Sequence, residues 1–288
     1  MLVDREGDID LAGLTGLNDL KLIKRLPGGL GNRTFLVDQS GLKRVLRIEG
    51  QSSKLSSINR YRENAAWRAA AKENLAPALV YSDVAEGIFL SDYLPGTCFN
   101  GEKTADIESL AARLSTLHTL RVDLPVVDLL AQAESYHGAL SQHRSPQLNR
   151  VEQWRRRVSG LLEIWRESHR PVALCHNDLV NANILKSERT LYFIDWEYSG
   201  LGDPCFDLAV VVEENAFDEN QTEQFLAAWG EVHVRSDSKL QSARVLYRYL
   251  CLQWYMLIGN GGDEADAQMC AAIGEQEQAL SRLLERNT

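Results

Sequence analysis

A run of polar residues interrupts the apolar stretches between residues 172 and 198 of this sequence. The run comprises His176, Asp178 and Asn183 and, after a second apolar stretch, Asp195 and Glu197. A carboxylate such as Asp178 can accept the proton of an attacking hydroxyl group. The amide oxygen of Asn183 and the carboxylate of Asp195 are ligands that Mg²⁺ accepts beside phosphate and water. Together, such groups could transfer a phosphoryl group to an alcohol.

The spacing of these residues predicts how they meet. Between Asp178 and Asp195 there is room for Asn183, a short strand, a turn and a returning strand. Such a hairpin would bring Asn183 and Asp195 to the same end. If the following segment is extended, Glu197 shares a face with Asp195 and could bind a second metal ion, directly or through water. The alternative is a loop of ordinary turn-forming Asn and Asp residues, and the acidic segment at the right distance favours the functional interpretation.

We predict that His176 and Asp178 are the catalytic residues of the loop. The expected role of His176 is to bond the backbone and shape the loop. Asp207 follows Gly202-Asp203-Pro204, and we predict that it begins a helix as its N-cap residue. A bond from Asp207 to the backbone of the loop is also expected, and we interpret the residue as structural.

A glycine-rich turn occurs early in the chain, with Gly28, Gly29 and Gly31 followed by Asn32. Glycines let backbone N–H groups approach phosphates closely, so this turn could cover a nucleotide. A plain hairpin turn is the alternative. Because the segment is neither G-x-G-x-x-G nor a Walker A loop, Mg–ATP binding does not follow from it without other residues.

Arg47 and Glu63 form a candidate pair for holding phosphate charge. Arg47 lies on a predicted strand and Glu63 on the helix that follows, a spacing typical of the strand cation and helix glutamate of kinases. A guanidinium would hold phosphate oxygens as a fork rather than as a point charge. The alternative is an ordinary charge at the end of a strand.

The elements that must position these residues change character along the chain. Alternation and turn residues predict strands near 20–26, 34–37, 44–48, 79–81 and 87–93. Helical periodicity predicts helices near 57–74, 107–120, 126–143, 148–168, 207–214, 221–231, 239–258 and 263–286. A strand-rich half therefore precedes a helical half, and we expect lobes at 1–93 and 94–288.

Composition and charge limit the class of protein. The 288 residues are 44% hydrophobic, and the net charge of −9 argues against nucleic acid or an anionic membrane as the main partner. Five scattered cysteines suit a reducing compartment. Because no signal-peptide pattern or membrane-length apolar run is present, we expect a cytoplasmic protein. The oligomeric state is left open.

Read together and in order, these motifs resemble the choline/ethanolamine kinase and aminoglycoside phosphotransferase superfamily. The resemblance runs over about residues 20–215. It rests on the glycine turn, Val45-Leu-Arg47-Ile, Leu114-Ser-Thr-Leu-His118, the His176 loop and Ile194-Asp-Trp-Glu-Tyr198. It implies an α+β, two-lobed, protein-kinase-like fold with the site in a cleft, and ATP and Mg²⁺ as cofactors. Asp178 would be the base, Asn183 and Asp195 metal ligands, and Glu197 a possible further ligand.

The motifs define the acceptor alcohol less closely than they define the reaction. Arginine at position 47 and the Asp-Trp-Glu-Tyr segment look most like the choline kinase branch, which implies choline or ethanolamine as the acceptor. Thiamine kinase and aminoglycoside phosphotransferase are alternatives, and a catalytically inactive nucleotide-binding protein is an alternative of another class. The aromatic residues that could enclose a cation, or simply fill a core, are Tyr247, Tyr249, Trp254 and Tyr255.

Overall fold

The structure, a computed structural model, describes residues 17, 19–27, 32–50, 58–101, 104–142, 145–188, 190–230, 237–259 and 265–285. The chain divides into two compact units. The first contains Met1–Thr97 and Leu185–Glu197, and the second contains Cys98–Ile184 and Tyr198–Thr288. The predicted catalytic loop belongs to the second unit, and the acidic segment with Asp195 belongs to the first.

The first unit is built on an antiparallel sheet. Its elements are β1 (Leu20–Arg25), β2 (Asn32–Gln39), β3 (Leu42–Glu49), α1 (Arg60–Lys72), β4 (Leu79–Asp83) and β5 (Ile88–Asp92). Within the described residues, the sheet has five strands in the order β1-β2-β3-β5-β4. The central strand β3 therefore pairs with β2 on one side and with β5 on the other.

Strand alternation explains where Arg47 points. Leu46 and Ile48 belong to a buried apolar cluster together with Phe35 and Val37 of β2. Since successive side chains of a strand project to opposite faces, Arg47 projects to the other face. There it meets Trp67 of α1.

The remaining elements follow in chain order. They are β6 (Thr97–Cys98), α2 (Thr104–Thr119), α3 (Leu129–Gln142), α4 (Leu148–Ser168), β7 (Ala173–Cys175), β8 (Ile184–Ser187), β9 (Thr190–Phe193), β10 (Gly200–Gly202), α5 (Pro204–Glu214), α6 (Glu219–Trp229), α7 (Asp237–Ile258) and α8 (Ala265–Glu285). In the described residues, β6, β8 and β9 form one sheet and β7 pairs with β10 in another. Helix α5 is buried along most of its length, so it forms the core of the second unit.

The predicted α+β class, with a sheet followed by helices, is confirmed. Each predicted strand and helix has a counterpart among the described residues, with shifted ends. The predicted helix that starts at residue 57 begins at Arg60, after the N-cap Asn59. Across the described part of the chain, no helix is both long enough and apolar enough to cross a membrane.

The predicted start of α5 is wrong. Asp203, not Asp207, is the N-cap residue, and its side chain accepts a hydrogen bond from the Cys205 amide. Pro204 follows at the first helical position, where a missing N–H costs nothing because the first amides of a helix have no partner within it. Asp207 consequently lies inside the helix and is fully buried.

Candidate functional site

The structure brings Asp178 and Asn183 together. Both lie between β7 and β8, where the chain makes a short 3₁₀ turn at Asn181–Asn183. The side-chain amide of Asn183 donates to Asp178 Oδ2 at 2.8 Å and to the Asp178 carbonyl at 2.9 Å. These bonds orient the Asp178 carboxylate. They leave the side-chain oxygen Oδ1 of Asn183 as the atom available to a cation.

Asp207 holds the backbone on which Asp178 is carried. Its carboxylate accepts hydrogen bonds from the His176 amide at 2.8 Å and the Asn177 amide at 2.7 Å. His118 Nε2 lies 3.0 Å from the same carboxylate. The expected bond from Asp207 to the loop backbone is therefore confirmed. A carboxylate that accepts from backbone amides inside a core is a strong and directional anchor.

His118 is itself fixed by an indole. Trp229 Nε1 donates to His118 Nδ1 at 3.0 Å. Because that nitrogen accepts, the proton of a neutral His118 ring lies on Nε2 and points to Asp207. His118, Cys175 and Asp207 have ligand atoms within 4.8 Å of one another. These hydrogen bonds nevertheless engage Asp207 and both nitrogens of His118, so the group is a structural anchor rather than a metal site.

The loop backbone is strained next to Asp178. Asn177 has φ of 65°, a left-handed conformation that costs a non-glycine residue about 1 kcal/mol or more. Its amide is bound by Asp207, and its side-chain Nδ2 donates to the Tyr198 carbonyl at 2.9 Å. These bonds compensate the strain. The side chain of His176 is fully buried, and its role in shaping the loop stays a prediction.

In the first unit, Arg47 is the centre of a buried charge network. One nitrogen donates to Asp195 Oδ1 at 2.6 Å, and another donates to Glu63 Oε1. The guanidinium carbon lies 4.8 Å from the centre of the Phe89 ring. Burial lowers the pKa of Arg47, but the carboxylates of Glu63, Asp195 and Glu197 outweigh burial and raise it. Arg47 therefore stays charged, and the predicted pair with Glu63 is present.

The segment around Asp195 is not extended, which corrects the geometry expected from sequence. Asp195 has φ of 65°, so it does not share a strand face with Glu197. Glu197 Oε2 instead accepts from Asn32 Nδ2 at 2.8 Å. Burial, followed by the charge of Asp195, raises the pKa of Glu197 to about 7, while Arg47 and the Asn32 bond oppose that shift.

Arg60 is the site residue that sequence reasoning missed. It is the first residue of α1 and is 7% exposed. Its guanidinium donates to Glu63 Oε2 at 2.6 Å and to Glu49 Oε1 at 2.9 Å. A cation in the first turn of a helix is unfavourable with respect to the helix dipole. An arginine there, three positions before a buried glutamate, was the pattern that could have revealed it.

Three predicted residues, Gly28, Gly29 and Gly31, lie outside the described residues. Asn32, which follows them, begins β2 and is 7% exposed. Its amide connects Glu197 with Arg60, whose nitrogen lies 3.3 Å from Asn32 Oδ1.

The aromatic residues of α7 divide into two groups. Tyr247 and Tyr249 are buried at 5% and 2% exposure, so they contribute to the core. Trp254 and Tyr255 are partly exposed, and their rings pack edge to face at 5.1 Å. Trp196 in the first unit is fully buried, and its indole donates to the Phe193 carbonyl.

Two carboxylates at the end of α5 are already paired. Arg248 donates to Glu213 Oε2 at 2.8 Å and to Glu214 Oε1 at 3.0 Å. Arg244 donates to Glu213, and the Tyr247 hydroxyl donates to Glu214. Because two arginines balance the two glutamates, this pair presents little net negative charge to a cationic ligand.

The charge of Asp178 influences the pKa values of two tyrosines of the second unit, Tyr136 and Tyr255. Burial raises the pKa of Tyr136 to about 12, and hydrogen bonds from Gln132 and Tyr198 oppose the shift. Burial also raises the pKa of Tyr255. Asp178 is close enough to add to both shifts and to that of Cys251. The hydroxyl groups of both tyrosines therefore stay protonated near neutral pH.

Comparison with known proteins finds related sequences. A family model described as choline/ethanolamine kinase matches residues 23–248. The protein LicA of Haemophilus influenzae is 31% identical over 65% of this chain, and the chain spans 56% of that protein's length. Thiamine kinase of Escherichia coli is 30% identical over 67% of this chain and 66% of its own length.

Solved structures show the same fold. The crystal structure of choline kinase LicA from Streptococcus pneumoniae superposes with a TM-score of 0.75 over 90% of this chain and 95% of that one. The two sequences are 22% identical. The likeness therefore establishes the kinase-like fold and not the substrate.

Proposed function

Because this chain belongs to the choline/ethanolamine kinase family, we propose that it transfers the terminal phosphoryl group of Mg–ATP to the hydroxyl group of a small amino alcohol. Choline and ethanolamine are the first candidates. The observation that carries the proposal is the hydrogen bond between Asn183 and Asp178, on a loop whose backbone Asp207 holds. A carboxylate fixed in this way is prepared to accept a proton from a hydroxyl group.

Each loop residue has a separate task. Asp178 orients the acceptor hydroxyl and takes its proton as the oxygen attacks. Asn183 fixes the rotation of that carboxylate through the 2.8 Å bond. His176 shapes the loop through its buried ring and its amide bond to Asp207. Proton transfer of this kind contributes about 10²–10⁴-fold to a rate.

The residues of the first unit fit a nucleotide phosphate and its metal ion. Arg47 Nε is buried and has no hydrogen-bond partner among the described residues, so the guanidinium keeps donor capacity for a phosphate oxygen. Glu63 orients Arg47. When bound, Mg²⁺ would neutralise phosphate charge. The ligands that we propose are the oxygens of Asn183 and Asp195, with Glu197 as a possible further ligand.

The rest of the nucleotide end is proposed from sequence order. Gly28, Gly29 and Gly31 would approach the phosphates, and Asn32 would anchor the end of their turn. On this proposal residues 1–93 form the nucleotide-binding lobe, and residues 94–288 carry the catalytic loop and the acceptor site.

Aromatic residues support a cationic acceptor. An ammonium group is attracted to the face of an aromatic ring by about 0.5–2 kcal/mol, depending on desolvation. Tyr136 and Tyr255 lie close enough to Asp178 to be influenced by its charge, and Trp254 packs against Tyr255. These rings, rather than the paired Glu213 and Glu214, are the proposed contacts for the cation.

Thiamine is the second candidate acceptor. It carries a cationic ring and a primary alcohol, and the thiamine kinase of Escherichia coli matches 67% of this chain. A nucleotide-binding protein without turnover is the candidate from another class. The hydrogen-bonded Asp178–Asn183 pair argues against it, because an inactive protein has no need to orient a base.

An acceptor panel tests the proposal. The purified chain is incubated with Mg–ATP and one acceptor: choline, ethanolamine, thiamine, an aminoglycoside or a sugar. ADP release gives the rate, and ³¹P NMR identifies the phosphorylated product. We expect choline or ethanolamine to give the highest kcat/KM. The variant Asp178→Asn should lower kcat by about 10²-fold or more. A matched control is Asp218→Asn, the same change at the exposed N-cap of α6.

Two outcomes would contradict the proposal. Unchanged turnover in Asp178→Asn would remove the assigned base. A thermal shift with Mg–ATP but no ADP release with any acceptor would indicate the inactive nucleotide-binding protein instead.

A further inference from the structure

The buried guanidinium of Arg60 donates side-chain hydrogen bonds to residues from several parts of the first unit. Besides Glu63 and Glu49, its guanidinium donates to Asn32 Oδ1 and to Glu197 Oε2, each at 3.3 Å. These partners come from β2, β3, α1 and the segment after β9. One side chain thus ties together four separate stretches of the first unit.

The network alternates in charge. Glu63, which is fully buried, is shared by Arg47 on one oxygen and Arg60 on the other. Arg47 continues to Asp195, and Arg60 continues to Glu197. Each buried carboxylate therefore has a guanidinium partner, a condition that buried charges need in order to remain in a core.

Asn32 closes a ring within this network. Its Nδ2 donates to Glu197 Oε2 at 2.8 Å, and its Oδ1 accepts from Arg60. Arg60 also donates to the same Glu197 oxygen. The position of Glu197 and the start of β2 are thus set by the same cation.

We propose that Arg60 is a positioning residue for binding of the metal–nucleotide: it fixes Glu197 and Asn32 directly, and it fixes Arg47 through their shared Glu63. The inference rests on the proposed function. It assigns a second arginine to the nucleotide end, one that acts through other residues and does not itself have to touch the phosphates.

The test separates binding from turnover. Variants Arg60→Gln and Arg60→Lys are compared with Arg68→Gln, a matched control at an exposed position of α1 that bonds Asn64 and Ser82. Binding of a non-hydrolysable Mg–ATP analogue is measured by calorimetry, and KM and kcat are measured with the best acceptor.

We expect Arg60→Gln to weaken binding and raise KM for Mg–ATP by about 10-fold, the loss of about one charge-assisted hydrogen bond. The kcat at saturating nucleotide should change by less than about 3-fold, because the bonds of Arg60 to Glu63, Glu197, Asn32 and Glu49 lie within the first unit and the proposed base is carried by the second. Arg60→Lys keeps the charge but cannot form the fork, so it should restore binding only in part.

Removing Arg60 leaves Glu63 with Arg47 as its remaining guanidinium partner and Glu197 with its bond from Asn32, and we expect the loss of these buried ion pairs to destabilise the fold. Glu49→Gln provides the second variant, since Glu49 is partly exposed and accepts from Nη2 of Arg60, whereas Glu63 and Glu197 accept from Nη1. It should raise KM for Mg–ATP by about 2–3-fold, the loss of a partly exposed ion pair, with kcat retained.

Failure of this inference can be distinguished from failure of the proposed function. A wild-type chain that binds no Mg–nucleotide refutes both the function and this inference. A wild-type chain that binds, with Arg60→Gln and Glu49→Gln binding equally well, refutes the role of Arg60 and leaves the function standing. A fall in kcat without a change in KM also overturns it.

Discussion

Replacing Asp207 by asparagine tests whether the anchor below the loop controls catalysis. Asp207 Oδ1 accepts from the Asn177 amide, and Oδ2 accepts from the His176 amide and faces His118 Nε2. An asparagine has one oxygen for these donors. Its NH₂ group must therefore face a backbone N–H in either orientation, because Oδ1 accepts from the Asn177 amide and Oδ2 from the His176 amide.

The magnitude follows from those contacts. A hydrogen bond to a charged group contributes about 1.5–3 kcal/mol, and a buried N–H without an acceptor costs about 1–3 kcal/mol. We therefore expect Asp207→Asn to lower the free energy of unfolding by about 2–4 kcal/mol. Without its bond to Asp207, the left-handed Asn177 can relax and shift Asp178. A displacement of about 1 Å at a catalytic group costs about 10²-fold in rate.

The assay pairs urea denaturation with steady-state kinetics on the best acceptor. Asp203→Asn is the matched control, because Asp203 is buried at the N-terminus of the same helix but bonds Cys205, Arg170 and Lys239 rather than the loop. Both variants should lose stability. We expect kcat to fall by about 10²-fold in Asp207→Asn and to stay near wild type in Asp203→Asn.

Two results would refute this reasoning. If Asp207→Asn keeps a wild-type kcat despite its lower stability, the anchor does not position the base. If Asp203→Asn loses kcat equally, the effect reports general destabilisation and not the loop.

Further predictions concern Arg47, His118 and the thiols. Arg47→Lys should raise KM for Mg–ATP by about 10-fold in a nucleotide titration, because an ammonium cannot bond Glu63 and Asp195 as a fork; an unchanged KM would contradict the assignment. Trp229→Phe removes the bond to His118 and should lower the free energy of unfolding by about 1 kcal/mol in urea, whereas an equal stability would show that this bond is dispensable. Cys98 and Cys270 are exposed and should react with iodoacetamide at pH 8. Burial raises the pKa of the thiols of Cys175, Cys205 and Cys251, and those of Cys205 and Cys251 rise to about 12. These three thiols should therefore react in urea and not in the native protein.

Much of the fold was predictable from local sequence. Alternation in β2 and β3 and the helical periodicity of α2 and α7 are properties of neighbouring residues, so the order of strands and helices followed directly. The bond between Asn183 and Asp178 spans five positions, and a motif of fixed spacing can predict such a contact.

The tertiary structure decided which distant positions are in contact and which backbone angles allow those contacts. Arg60 meets Glu197 across 137 positions, a separation that no local pattern encodes. The left-handed φ of Asp195 turned its carboxylate towards Arg47, where an extended segment had been expected. Asp207 was predicted as a helix cap because aspartate favours that position; burial inside α5 made it the acceptor for the loop instead. Residue types and spacing thus determined which chemistry was available, whereas packing decided which charges meet.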